Sequence, residues 1–566
     1  MLKRDSEKFL KIAVIFLLFL TLFTSTSGCK DLESGIQAFE NKDYEKSIQA
    51  LKDYLKDNPD DLEAHLFLGK AYFEKGELDL AQKEFEEILD GRSKHTQALY
   101  HLGLVLIEKK DYSEAKKIFE KGLKLKNDKA LFHNGMGLVQ MAEGDLEEAD
   151  VSFRSAIFEN PDVAEFHKNL GDVSFEKDVL PIAIDEYRQA LQLDSNLAGA
   201  YYNLGEAYFK SHDFNSAVES FKSAVKLDPQ YKDAYLRLGN LYMIDRKHYP
   251  QAKVMYEEYL KIDQSNPDVY LSLGKALYYI GDFENAIQNL KKAEELGSEK
   301  EQIYLFMGMA YQENKDYQQT LKAYDQYVML KEKENPNAWE QNDAEFWMKK
   351  GRAHLAMGDS LNLERGSLAL NKAVELDSTT TEAFCTLGYT LYKQEKHKDA
   401  IHFFDKCIEF TRGDVFNPLV YLAYSYIALG EYNESVSPLL KALELQPENV
   451  SIKKTLAVVY YQQKDYEKAV ELYPAVLEEY PDNCEAVGQY SYSLVMLQRY
   501  KQAIPHLRKS IGCYPNDIGY MLLLAQAYEL NNNLDSAYDW YMKVLKIDPN
   551  NQEAKKGRDR IDMQRF

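Results

Sequence analysis

Five cysteines, three histidines in a common register and an abundance of tyrosine are the residues of this chain best equipped for chemistry. Cys29, Cys385, Cys407, Cys484 and Cys513 show no C-x-x-C pair and no cysteine–histidine spacing that would build a zinc site. His65, His133 and His167 are separated by multiples of 34 residues. Each therefore belongs to a different structural unit, too far from the others to share a metal, and packing is their expected role. The sequence contains no HExxH, GxSxG or phosphate-binding loop. Carboxylates are abundant, but nothing selects a catalytic pair among them. A non-enzymatic protein without metal or cofactor is expected.

Composition narrows the partners. The 566 residues carry 91 acidic and 69 basic side chains, a formal charge of -22. A chain this acidic repels a phosphate backbone, so nucleic acid is an unfavourable partner. With 45% hydrophobic and 28% charged residues the chain has the means to fold. Tyrosine occurs 42 times against 3 tryptophans, as expected if one motif uses Tyr repeatedly.

That motif is visible in "AYYNLGEAYFKSHDFNSAVESFKSAVKLDPQY", which begins at Ala200. Gly205 and Ala217 lie twelve apart, with Tyr208 and Phe214 between them and Phe221, Ala224 and Pro229 after. The frame returns 34 residues earlier at Gly171, Ala183, Tyr187 and Ala190, and again at Gly137, Ala149, Phe153, Ala156 and Pro161. It resembles the tetratricopeptide repeat (TPR), a helix pair with this period. With each unit numbered from one to 34, fifteen units can be placed. Position eight is small throughout, from Gly35 to Ala525, and position twenty is Ala except at Ser47, Thr320, Gly366 and Ser435. Two antiparallel helices approach closely only where the facing side chains are small, and one such pair cannot bury its apolar face alone, so neighbours must stack. The resemblance implies an all-α solenoid forming a superhelix.

Breaks in the frame set the expected organisation. One extra residue lies near "IDRKHYPQA", before Ala252, and three lie between the helices of the tenth unit near "DSLNLERGS". The longest break, "KEKENPNAWEQND", separates units nine and ten. The expected parts are a signal peptide (1–28), an N-terminal arm of nine repeats (29–334), an interruption (335–343), a C-terminal arm of six repeats (344–551) and a polar capping helix (552–566). Lys3, Arg4, Lys8 and Lys11, an apolar run from Ile12 to Phe23 and then "TSTSG" have the layout of a secretory signal. Twelve apolar residues fall short of the ~20 needed to span a bilayer. Cys29 after "TSG" resembles a bacterial lipobox, in which the cysteine is lipidated. Thr26 stands where that motif usually has an aliphatic residue, which leaves ordinary signal cleavage as the alternative. The resemblance implies an exported, lipid-anchored protein of the cell envelope, on the periplasmic face of the outer membrane.

In the TPR family the first helix of each unit lines the concave surface, with positions two, five, nine and twelve facing ligand. Position nine is usually Asn, yet here only Asn240 keeps it, and the middle units offer Asp172, Glu206 and Lys275. Units eleven to fourteen place Tyr389, Tyr424 and Tyr492 at position nine and Tyr392 and Tyr461 at position twelve. This tyrosine stripe is the expected anchor for a protein or peptide partner, because Tyr combines apolar area with a polar tip. A glycan is the alternative ligand, and packing between neighbouring helices is the alternative use of the rings. Cys385 and Cys407, like Cys484 and Cys513, fall within one unit. If position eight faces position twenty, both pairs are about a turn out of register, so free thiols are expected.

Overall fold

The computed structural model describes residues 32–334 and 343–565. Cys29, the signal segment and nearly all of the 335–343 interruption lie outside the described residues. Among the described residues the regular elements are helices alone: α-helices, plus one 3-10 turn at Arg246–His248. The chain divides into two compact units between Ile280 and Gly281. Within each unit the helices pack in chain order, each mainly against its sequence neighbours, as stacked helix pairs require.

The turn inside each pair is built the same way almost every time. Position fifteen has a left-handed backbone in fourteen of the fifteen repeats; five of these residues are Gly, and Lys42, Lys110, Lys464 and Asn532 are among the rest. Position sixteen then often caps the second helix. Asp43, Asp111, Asp213 and Asp465 each accept a hydrogen bond from a backbone N–H three residues on. The seventh repeat departs from this pattern, and its extra residue forms the 3-10 turn at Arg246–His248. In the tenth repeat the three extra residues do not lengthen the loop, as expected from sequence. They lengthen the second helix, Ser360–Leu376, to 17 residues where 14 is usual. Asp359 caps that helix through the Asn362 N–H, so the inserted residues find helical hydrogen bonds at once.

Small residues at position eight make room for a large apolar side chain, most often a ring; over Gly35 and Gly351 it is Leu51 and Leu370. A Cβ added at Gly205 would lie 2.7 Å from Phe221, and one at Gly103 would lie 2.3 Å from Phe119. These rings occupy position 24 and are fully buried, as are Phe85, Phe153 and Tyr187. The position-twenty alanines between them, such as Ala81, Ala149 and Ala217, are completely buried. The last helix, Gln552–Arg565, closes the stack. Ala554 and Ile561 are buried, and Arg560 holds Glu529 through two hydrogen bonds of 2.8 and 2.9 Å.

The cysteines correct the expectation of free thiols. Cys385 is bonded to Cys407 and Cys484 to Cys513, with Cα separations of 5.0 and 5.7 Å. The assumed register is half of the real one. Ser47 at position twenty does reach position eight, donating to the Gly35 carbonyl at 2.9 Å. The ring four residues further on also sits over position eight. A residue on one helix nests between two residues a turn apart on its partner, and the second of these neighbours pairs position five with 27 and one with about 30. Those are the four cysteine positions.

Candidate functional site

The first helices of repeats nine to twelve, all in the second unit, border an open groove with a volume of about 850 Å³. They are Glu301–Glu313, Ala344–Met357, Thr381–Lys393 and Phe416–Ala428. The cavity is lined by Gln312 and Leu355 at position twelve, Arg352 and Tyr389 at nine, Cys385 at five, and Glu382 and Asn417 at two. These are the positions expected to face ligand. Its floor is aromatic. The Tyr421 ring lies 4.9 Å from Tyr389, edge to face, and 6.2 Å from Phe404, nearly parallel. Burial first, then the neighbouring Tyr389, pushes the Tyr421 phenol pKa up, so it is protonated and able to donate at neutral pH. An ion pair between Arg352 and Glu382 forms part of the wall, with both partners about half exposed. Lining charges balance: Lys315 and Arg352 face Glu313 and Glu382. Such a surface suits an uncharged stretch of ligand that offers apolar or aromatic side chains to the floor and polar groups to the rim.

The five tyrosines singled out from sequence do not form one stripe. Tyr389, Tyr392 and Tyr424 gather around Tyr421, whose ring centre is 4.9, 5.3 and 6.2 Å from theirs. Tyr461 and Tyr492 belong to a second cluster, 5.8 Å apart and each about 6 Å from Tyr466. All five are half-buried, and of the five Tyr389 lines the cavity. Sequence reasoning missed Tyr421, at position six, and passed over Arg352, Glu382 and Asn417, although their positions in the repeat marked them.

In the first unit the position-nine carboxylates are used internally. Asp172 accepts from Lys168, Tyr187 and Asn203 at 2.7–2.8 Å. Glu206 is held by Arg237 at 2.7 Å. Burial raises the Glu206 pKa and the guanidinium opposes the shift. Of the histidines at position four, His65 and His167 are tied by hydrogen bonds to Glu84 and Glu186 at 2.6 and 2.7 Å, and His133 is half-buried. Among the described residues no group of three or more His, Cys, Asp or Glu is arranged to hold a metal ion. No helix among them is long and apolar enough to cross a membrane.

Tetratricopeptide-repeat profiles match residues 38–102, 96–129, 180–212, 198–231, 267–296, 381–414, 422–483 and 518–551. Together they cover more than half of the sequence. The chain belongs to the tetratricopeptide-repeat family. Among curated TPR relatives, the anaphase-promoting complex subunit 7 of Arabidopsis thaliana is 25% identical over 34% of this chain and 34% of its own length. A TPR repeat-containing protein of Methanocaldococcus jannaschii is 23% identical over 53% of this chain and 62% of its own. The Hsp70-Hsp90 organizing protein 3 of Arabidopsis thaliana is 23% identical over 42% and 40%. The chain thus spans between a third and two-thirds of these relatives' lengths. The crystal structure of the APC/C hetero-tetramer Cut9-Hcn1 aligns with 94% of this TPR chain at 15% identity, with a TM-score of 0.30.

Proposed function

We propose that this TPR protein is a non-enzymatic scaffold of the bacterial cell envelope that holds a partner polypeptide in the groove of repeats nine to twelve. The observation that carries this reading is the cavity itself, with ligand-facing positions of four successive first helices around a tyrosine floor. Relatives named as an anaphase-promoting complex subunit and as an Hsp70-Hsp90 organizing protein fit a role in assembly. Export is supported by the signal-like N-terminus and by two cysteine pairs that sit at bonding distance, an arrangement favoured in oxidising compartments. Anchoring through a lipidated Cys29 completes the proposal and predicts an intact mass increased by acyl groups.

The groove is tested by photo-crosslinking in the native cell from position 417, where Asn417 is replaced by a photoreactive residue. A discrete protein adduct is expected. It should disappear when Tyr389→Ala is combined with Tyr421→Ala, since losing one aromatic anchor typically costs about 2 kcal/mol of binding or more. Unchanged adduct in the double variant removes the groove from consideration, and adducts with glycan alone point to a role in polysaccharide export or cell-wall assembly.

A further inference from the structure

Hydrogen-bonding groups around the groove of repeats nine to twelve are unevenly committed. Gln312 Oε1 already accepts from the Tyr324 hydroxyl at 2.9 Å, so its amide nitrogen is the half left for a ligand. The Glu382 carboxylate is held by Arg352, and the Thr386 hydroxyl donates to the Glu382 carbonyl at 2.8 Å. Asn417 is exposed on the wall and keeps both halves of its amide, with no partner for them among the described residues. The contact between the Tyr389 and Tyr421 phenols takes one of their two protons at most, which leaves at least one to donate. The Glu382 carboxylate and the Gln312 carbonyl are therefore committed, while amide and phenol protons remain.

The apolar part of the groove is ring surface. Tyr389 stands edge to face on Tyr421, with 65° between their planes, which makes a notch with two flat walls. Tyr421 lies nearly parallel to Phe404, at 14°, and Phe404 is fixed by burial at 1% exposure. Tyr317 and Pro418 extend this lining. The lining charges cancel, Lys315 and Arg352 against Glu313 and Glu382, so a strongly acidic or basic segment finds no complementary field. A segment suited to these walls brings compact, rigid apolar rings and a backbone rich in acceptors. Proline supplies both. Its ring costs no side-chain entropy to bury, and it removes a backbone N–H that the committed acceptors could not serve. A polyproline II segment is already extended, makes no internal hydrogen bonds and leaves its carbonyls free to accept. Aromatic-lined grooves bind such segments for these reasons.

Resting on the reading of the groove as a polypeptide site, we propose that its ligand is a proline-rich segment in the polyproline II conformation. Prolines seat in the notch of Tyr389 and Tyr421. The Gln312 and Asn417 amides, on the first helices of the ninth and twelfth repeats, donate to carbonyls towards the two ends of the segment. A tyrosine hydroxyl donates between them, which gives these rings a use that phenylalanine could not serve.

The test uses the full chain and fluorescein-labelled decaproline, followed by anisotropy. Decaproline should bind, and a labelled Gly-Ser repeat of the same length should bind at least about tenfold more weakly, because it must be ordered and offers the rings nothing. Raising sodium chloride from about 50 to about 500 mM should change the affinity less than about twofold, since no charge pair forms. Tyr389→Ala with Tyr421→Ala should weaken decaproline about thirtyfold or more. Tyr389→Phe with Tyr421→Phe keeps the rings and the packing, and should weaken it about fivefold through the lost donors. Equal binding of the Gly-Ser peptide, strong salt dependence or an unchanged affinity in the phenylalanine variant overturns the proposal. Decaproline that does not bind, while the position-417 adduct forms and depends on the tyrosines, overturns the proline reading alone and leaves the groove a polypeptide site. Failure of both removes the groove itself.

Discussion

Two glycines of one helix should respond to the same substitution with opposite signs. Gly199 and Gly205 both lie in the helix Ala198–Lys210. A Cβ at Gly199 meets nothing within 4 Å, whereas one at Gly205 falls 2.7, 2.8 and 2.9 Å from three atoms of the Phe221 ring. That ring is fully buried and touches Tyr202, 5.5 Å between centres, so it has little room to retreat. Replacing a helical Gly by Ala is worth up to about 1 kcal/mol in the helix interior, and less in the first turn, where Gly199 sits. Overpacking a filled contact costs about 1–3 kcal/mol. Gly199→Ala should therefore stabilise by about 0.5 kcal/mol, and Gly205→Ala should destabilise by up to about 2 kcal/mol net. Stacked repeats open locally, so the assay is amide hydrogen exchange across residues 198–231, read as opening free energies. Gly205→Ala should lower protection there and in the flanking repeats first, and Phe221→Leu in the same chain should restore most of it. If Gly205→Ala protects as well as the parent, or Gly199→Ala is equally harmful, the close-approach argument fails.

Three more outcomes are expected. His101 stacks on Phe85 at 5.6 Å, and burial, helped by Lys70, pushes its pKa down to about 3 from 6.5. The unfolded chain therefore binds a proton that the folded chain refuses, and stability falls as pH drops below 6.5; His101→Phe should remove about 2 kcal/mol of that loss between about pH 6.5 and 4.5, measured as the difference in urea midpoints. The buried ladder in which Asn169 donates to Asn134 at 2.9 Å and Asn134 to the Tyr100 hydroxyl at 3.0 Å ties repeats three, four and five together. Asn134→Ala strands both neighbours and should cost about 3 kcal/mol of local opening energy by hydrogen exchange, more than Asn169→Ala. Alkylation of the oxidised, denatured chain should leave Cys385, Cys407, Cys484 and Cys513 unlabelled, with all four modified after reduction; Cys385→Ser with Cys407→Ser, opening a 22-residue span, should cost about 3 kcal/mol.

The fold was legible because each repeat states the same packing condition. A small residue at position eight and Ala at twenty are useful only where two helices touch, and one match of this kind is weak, whereas fifteen in one frame is strong. The turn was less legible. A left-handed residue at position fifteen is announced by Gly76 or Gly430 but hidden at Lys42 and Lys464, where the cap that follows and the packing of both helices override side-chain preference. The size of the tenth repeat's insertion is legible in the sequence and its place is not, since a count of residues does not say whether they lengthen a loop or a helix.

The site was legible by position more than by residue type. Tyrosine was the conspicuous signal, and it drew attention to Tyr461 and Tyr492, which spend their rings on each other and on Tyr466. The cavity instead follows the repeat numbering, recruiting Arg352, Glu382 and Asn417 beside Tyr389. The cysteines teach the same lesson about register. Position eight against twenty is one point of the helix contact, whereas a nested contact is an interval of four residues. Given the interval, Cys385 with Cys407 and Cys484 with Cys513 are the expected neighbours, and Cys385 comes to lie in the groove wall beside Tyr389. A residue chosen for its chemistry must first be asked which side of its helix it occupies, and in a solenoid the neighbouring repeats answer that question before any ligand does.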